Sequence, residues 1–216
     1  MKNSAQCATE RTSRTVHFVD DDPMVLTAVA RLLRMHDFVV VPHDNAEAFL
    51  ASYDDDAGCA VVDISMPGMD GLALQSELLR RHAGPPLVFL SGLADVPACA
   101  AAMRRGAVDF LRKPVDETEL LAAVEAALAR DARDRANRRT VQEVRERFDT
   151  LSPREREVVE LVMEGRLNKQ IAGDLDITEK TVKVHRARGM AKIGVRSVAA
   201  LVRVAERGAR AAAALL

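Results

Sequence analysis

The chain has 216 residues and a formal net charge of -1, with 48% hydrophobic, 29% charged and 3% aromatic side chains, which rules out a disordered or collagen-like protein and suits two small globular domains. Cys7, Cys59 and Cys99 lack CxxC spacing and do not cluster with His17, His36, His43, His82 or His185, so neither a disulfide framework nor a zinc site is expected. A polar amino-terminal stretch and the lack of any apolar run of about 18 residues predict neither signal peptide nor membrane span, hence a cytoplasmic protein.

The near-zero net charge hides an asymmetry. Residues 14–129 hold 9 Lys+Arg against 18 Asp+Glu, whereas residues 130–216 hold 20 against 13. The first half therefore suits cation or phosphate chemistry, and the second a polyanionic partner.

From the amino terminus, short apolar runs at Val16–Val19, Phe38–Val41, Ala60–Val62, Leu87–Leu90 and Val108–Leu111 recur about 20 to 25 residues apart and read as five buried parallel strands. Between them lie amphipathic helices, the first carrying Val25, Leu26, Val29, Leu32 and Leu33 on one face, the third Leu72, Leu74, Leu78 and Leu79. Strands alternating with single helices imply right-handed crossovers and a doubly wound α/β domain, whose ligand crevice lies at the carboxyl ends of the strands.

The residues at those ends are Asp20, Asp21 and Asp22 after the first strand, Asp63 after the third, Ser91 after the fourth, and Lys113 followed by Pro114 after the fifth. Carboxylates so placed repel one another unless a cation sits among them, and a hard oxygen set of this kind suits Mg²⁺. A lysine and a hydroxyl opposite would clamp a phosphoryl group, with the metal and the lysine activating Asp63 as a nucleophile toward phosphorus. Phosphatases with an aspartate nucleophile place a second acid two residues later, where this chain has Ser65, so that class is disfavoured. Asp22 before Pro23 also serves as an N-cap, and Asp54, Asp55 and Asp56 precede a strand and read as solvated loop charge.

Four segments, Val16-His17-Phe18-Val19-Asp20-Asp21-Asp22, Val62-Asp63-Ile64-Ser65-Met66-Pro67-Gly68-Met69-Asp70-Gly71, Phe89-Leu90-Ser91-Gly92 and Asp109-Phe110-Leu111-Arg112-Lys113-Pro114, resemble the receiver domain of two-component response regulators over residues 14–130. The resemblance implies a flavodoxin-like sheet of order 2-1-3-4-5. It also implies that Asp63 is the phosphoacceptor, that Asp20, Asp21, Asp63 and the backbone carbonyl of Ser65 hold Mg²⁺, that Lys113 pairs with the phosphoryl group, and that Ser91 and Phe110 form the switch.

Residues 131–147 read as a charged linker of helical character, since 129–140 hold no apolar side chain larger than Ala and neither Gly nor Pro. The stripe Val141, Val144, Phe148, Leu151 fits either packing on the following domain or a short coiled-coil dimer seam. Ser152-Pro153-Arg154-Glu155 is a capping box, with Gly165 as the helix stop; Asn168 is a candidate cap for a second helix to Leu175, and Thr178 for a third to about Ile193. Two helices joined by so short a turn form a helix-turn-helix, with Lys180, Lys183 and Arg186 spaced three apart on the second.

The segments Leu151-Ser152-Pro153-Arg154-Glu155-Arg156-Glu157-Val158, Asn168-Lys169-Gln170-Ile171-Ala172 and Thr181-Val182-Lys183-Val184-His185-Arg186 resemble the four-helix LuxR-type DNA-binding domain over residues 148–208. Together the two resemblances imply a response regulator of the NarL/FixJ type. Such a protein is phosphorylated by a sensor histidine kinase, forms a homodimer when phosphorylated, binds duplex DNA through Lys180, Thr181, Lys183, His185 and Arg186, and acts with RNA polymerase; it is not a turnover enzyme. A phosphoryl-accepting module whose helical bundle binds protein is the alternative. Two departures stand out: Asp176 where the family has a helix-stopping Gly, and Gly189 inside the recognition helix, where Gly costs roughly 1 kcal/mol against Ala. Residues 1–13 and 209–216 are expected to be tails.

Overall fold

A computed structural model describes residues 14–55, 57–81, 84–92 and 96–215; the expected tail at 1–13, with Cys7, Asp56 and His82, lies outside them. The chain divides into two compact units, one ending at Arg133 and the other beginning at Asp134.

In the first unit the strands are β1 (Thr15–Val19), β2 (Val39–His43), β3 (Cys59–Asp63), β4 (Leu87–Ser91) and β5 (Asp109–Arg112). They pair in parallel in the order β2-β1-β3-β4-β5, the order that the receiver resemblance implies. The helices between them are α1 (Pro23–Met35), α2 (Ala46–Ser52), α3 (Gly71–Arg80) and α4 (Val96–Arg104), and α5 (Glu117–Asp149) follows β5. Alternate strand residues feed two separate cores. Val16, Phe18, Cys59, Val61, Val88 and Leu90 pack with α1 and α5, whereas Val19, Ala60, Val62 and Phe89 pack with α2, α3 and α4. Both faces are covered, which is why the strands read as near-continuous apolar runs.

Local sequence sets the entry of each helix near the strand ends. Asp22 caps α1, its Oδ1 accepting from the backbone N–H of Met24 at 2.8 Å, with Pro23 in the first turn. Asp70 caps α3 by accepting from Ala73 N at 2.7 Å. At Gly71 an added Cβ would lie 2.5 Å from the carbonyl oxygen of Asp63, so only Gly lets α3 start this close to the end of β3.

The second unit contains the carboxyl-terminal part of α5, then α6 (Pro153–Met163), α7 (Asn168–Asp174), α8 (Glu179–Ile193) and α9 (Val198–Ala213). Leu151, Val158, Val159, Val162, Ile171, Val182, Ile193 and Leu201 form its core. The capping box at Ser152 is complete: Glu155 N donates to Ser152 Oγ and Ser152 N to Glu155 Oε2. Lys192 also donates to Glu155 at 2.6 Å, and that bond, ahead of the one from Ser152 N, holds the Glu155 carboxyl down to about 2.

Both departures have a physical account. Asp176 is left-handed, with φ 52°, so the helix stop keeps its geometry with a residue that tolerates it. Gly189 is buried where α8 meets α6, and a Cβ there would lie 2.7 Å from Val159 Cγ2.

Two expectations are corrected. Residues 209–213 belong to α9 rather than to a tail, because Ala211 is buried against the unit and alanine is the strongest helix former. Asn168 is the first residue of α7 and not its cap; the backbone N–H of Leu167, at the cap position, donates to Gln170 Oε1 at 2.8 Å. Of the two readings of the apolar stripe, packing on the following domain holds: Val144 fills the space left by Gly208, and Phe148 and Leu151 join the core.

Candidate functional site

The parallel register brings the ends of β1, β3, β4 and β5 side by side. Val19 lies beside Val62, Asp63 beside Leu90, and Ser91 beside Arg112. Asp20, Asp63 and Ser91 are buried at that edge. Lys113 reaches across it, its Nζ 2.6 Å from Asp20 Oδ2 and 2.6 Å from Asp63 Oδ1. Each carboxylate has a second donor: Asp22 N gives to Asp20 Oδ1 at 3.0 Å, and Ser65 N to Asp63 Oδ2 at 2.8 Å. Lys113 is itself fixed by its backbone N–H, which donates to the carbonyl of Ser91 at 2.7 Å.

Two opposing forces set the charges here. Burial pushes the Asp20 carboxyl above its ordinary range, and its bonds to Lys113 and Asp22 offset only part of that. Burial alone would lower Lys113, but its bonds to Asp20 and Asp63 outweigh it, so the ammonium is held above its usual value. The lysine therefore stays charged and compensates two carboxylates that would otherwise repel.

Of the other predicted residues, Asp21 and Ser65 are exposed at the rim. Phe110 is half-buried in β5 with its ring centroid 6.5 Å from that of Phe89. Among the described residues no three acidic, His or Cys side chains gather around one point closely enough to hold a metal ion. What converges is the pair Asp20 and Asp63, on the lysine ammonium.

Sequence reasoning passed over two histidines. His17 Nδ1 and His43 Nε2 lie 3.1 Å apart, stacked and walled by Phe49 and Tyr53. Burial, then the neighbouring His17, lowers the His43 imidazole to about 4, and so keeps it neutral. They sit on adjacent strands, 26 positions apart in sequence, so only the register reveals the pair.

On α8 the turn per residue decides which side chains face out. At about 100° per residue, a spacing of three drifts about 60° backward each step, so from Lys180 through Lys183 to Arg186 the row rotates toward the packed side. Lys180, Lys183, Val184 and Arg188 are exposed, whereas Val182, Gly189 and Ile193 are buried. Thr181, His185 and Arg186 lie on the flanks and are half-buried. Thr181 is tied to the cap, its N–H donating to Thr178 Oγ1 at 3.2 Å. Arg186 Nη1 donates to Asn168 Oδ1 at 3.0 Å, joining α8 to α7. Val184 and Arg188 are exposed positions that a three-residue spacing passes by; a four-residue spacing from Lys180 reaches both.

A buried aspartate pair bridged by lysine at the carboxyl edge of a 2-1-3-4-5 parallel sheet, followed by a helical unit presenting a basic helix, defines the class: a phosphoryl-accepting receiver joined to a DNA-binding domain. Residues 16–125 match the response regulator receiver domain and residues 149–205 the bacterial regulatory proteins of the luxR family, and the chain belongs to this family of NarL/FixJ-type response regulators. It is 42% identical over 193 residues to the response regulator protein TodT of Pseudomonas putida, covering 89% of this chain and 85% of that one. To the transcriptional regulatory protein FixJ of Rhizobium meliloti it is 42% identical, covering 91% and 97%. The solved structure of the response regulator StyR superposes with a TM-score of 0.81 at 43% identity, covering 89% and 98%. The protein is thus a phosphorylation-dependent DNA-binding transcriptional regulator, with histidine kinases and DNA as its classes of partner. No helix among the described residues is long and apolar enough to cross a membrane.

Proposed function

We propose that Asp63 accepts the phosphoryl group and that the acidic crevice is built around this transfer. The observation that carries the reading is the single ammonium of Lys113 bonded at 2.6 Å to both Asp20 and Asp63. An Asp63 carboxylate oxygen forms a bond to phosphorus while the bond from phosphorus to the kinase imidazole nitrogen breaks; the electron pair stays on that nitrogen, which takes a proton from solvent. Lys113 donates to the phosphoryl oxygens as their charge develops, and Asp20 fixes where the ammonium points.

Receiver domains bind Mg²⁺ for phosphorylation, and the donors here fit it: hard oxygens, two of them already converging on a cation. Asp20, Asp21, Asp63 and the Ser65 carbonyl would hold the ion, which when bound supplies neutralisation of the incoming phosphoryl charge. Ser91 is buried at the same edge and would donate its hydroxyl to the phosphoryl group; Phe110, half-buried, then rotates inward. The surface so reshaped includes α4, whose Val96 and Met103 are exposed, and is the face on which the phosphorylated chain forms a homodimer. The dimer presents two copies of α8 to paired half-sites, and affinity rises through effective concentration.

Lys180, Lys183, Val184 and Arg188 contact the duplex, while Thr181, His185 and Arg186 position the helix. The regulator works with RNA polymerase in the cytoplasm and turns nothing over, save for loss of its own phosphoryl group. Incubation with labelled acetyl phosphate and Mg²⁺ tests the first step: the wild type takes a label that alkali and hydroxylamine release, and Asp63→Asn takes none. Full labelling of that variant refutes the assignment.

A further inference from the structure

The second unit holds a groove that DNA recognition does not use. Its volume is about 510 Å³, and it lies between α5 and α9, lined by Asn137 and Thr140 on one side and by Arg203, Glu206, Arg207 and Arg210 on the other. None of these residues belongs to α7 or α8, so the groove is separate from the helix-turn-helix. The two helices that line it pack closely: at Gly208 a Cβ would lie 2.9 Å from Val144 Cγ1, so the missing side chain lets α9 seat against α5.

The guanidiniums differ in their commitments. Arg207 is held by Glu143 at 3.1 Å. Arg210 meets Glu206 only at 3.7 Å, and Arg203 has no ion pair or hydrogen bond among the described residues. Two cations therefore stand available in one concave space with an amide, a hydroxyl and one carboxylate.

We propose that this groove binds a nucleotide carrying two or more phosphates. Guanidinium forks match phosphate oxygens in pairs, and two of them on one helix face suit a diphosphate rather than a single phosphate. The volume falls in the range of small-molecule sites, about 300 to 1,000 Å³. Glu206 supplies the acceptor that a base N–H needs, and the plane of a guanidinium offers a surface on which a base stacks. Duplex DNA fits less well, because the groove joins α5 to α9 and none of its lining lies on the helix-turn-helix. A nucleotide bound here leaves the exposed face of α8 open.

The test uses the full chain in EDTA, which keeps metal-dependent binding at the acidic crevice out of the signal. A fluorescent N-methylanthraniloyl ADP is titrated, then displaced by ADP, ATP, pyrophosphate, orthophosphate or a duplex of unrelated sequence. Saturable binding is expected, with ADP and pyrophosphate displacing the probe and orthophosphate weaker by about tenfold or more. Arg203→Gln with Arg210→Gln should lose about tenfold or more, in keeping with two charge-assisted bonds. Asn137→Trp, which fills the groove and keeps every cation, should lose as much while the far-ultraviolet circular dichroism stays unchanged. The proposal is overturned by the absence of saturable binding or by unaltered affinity in Asn137→Trp. Displacement by duplex DNA as effective as by pyrophosphate would equally overturn it and make the groove a DNA-phosphate contact.

Discussion

Substituting Gly189 sets helix propensity against packing, and the structure decides which wins. In an exposed helix, Gly→Ala stabilises by roughly 0.8 to 1 kcal/mol. At Gly189 the new Cβ would sit 2.7 Å from Val159 Cγ2, with Leu151 Cδ2 at 3.6 Å and the carbonyl of Glu155 at 3.7 Å, so Val159 has to move in a core where it is wholly buried. Overpacking of this kind costs typically 1 to 3 kcal/mol. The net expectation is destabilisation of the second unit by about 1 kcal/mol. Gly173 supplies the control: it lies within α7, is exposed, and has nothing within 4 Å of its added Cβ, so Gly173→Ala should stabilise by up to about 1 kcal/mol. Urea unfolding followed by circular dichroism compares the two, and Val159→Ala in the Gly189→Ala background should return part of the loss. Stabilisation by Gly189→Ala equal to that by Gly173→Ala would refute the close approach of α6 and α8.

Asp20→Asn leaves Lys113 with one carboxylate fewer and removes a proposed metal donor, so labelling by acetyl phosphate should fall sharply at low Mg²⁺ and partly recover as Mg²⁺ rises; labelling equal to wild type at all concentrations argues against the role. His43 titrates near its ordinary value, about 6.5, when unfolded and at about 4 when folded, so its contribution to stability is full above pH 6.5, declines as the pH falls toward 4, and is level below that. At pH 5 the wild type should have lost about 2 kcal/mol more than His43→Phe, and parallel urea titrations at pH 7 and 5 that show no difference would remove the buried neutral imidazole. For DNA, Lys183→Ala should weaken binding and, for a phosphate contact, reduce the salt slope by about one. Asn168→Ala frees Arg186 from α7 and should weaken binding to specific DNA with the salt slope unchanged; a reduced slope would place Arg186 or its partner on a phosphate instead.

The first unit was legible because its strands are buried on both faces and so appear as apolar runs, and because residues at strand ends meet whenever strands are parallel neighbours. That rule alone brought Asp20, Asp63, Ser91 and Lys113 together. It did not show that Lys113 stands between the two carboxylates, since side-chain reach depends on the register that Val19, Asp63 and Ser91 adopt. The histidine pair escaped for the same reason. On α8 a spacing of three does not keep to one face, because the helix turns every 3.6 residues; Arg186 therefore lies on the flank, while the exposed Val184 and Arg188 follow a spacing of four. Gly189 looked like a cost because its reason lies on α6, 30 positions earlier at Val159.

The central claim, that a phosphoryl group on Asp63 controls DNA binding, is tested most directly by fluorescence anisotropy on a promoter duplex, with and without acetyl phosphate and Mg²⁺. The wild type should tighten by about tenfold or more on phosphorylation, as paired half-sites gain from dimerisation, and Asp63→Asn should show no change. Equal affinity of the wild type in both conditions, or the same gain in Asp63→Asn, would contradict it.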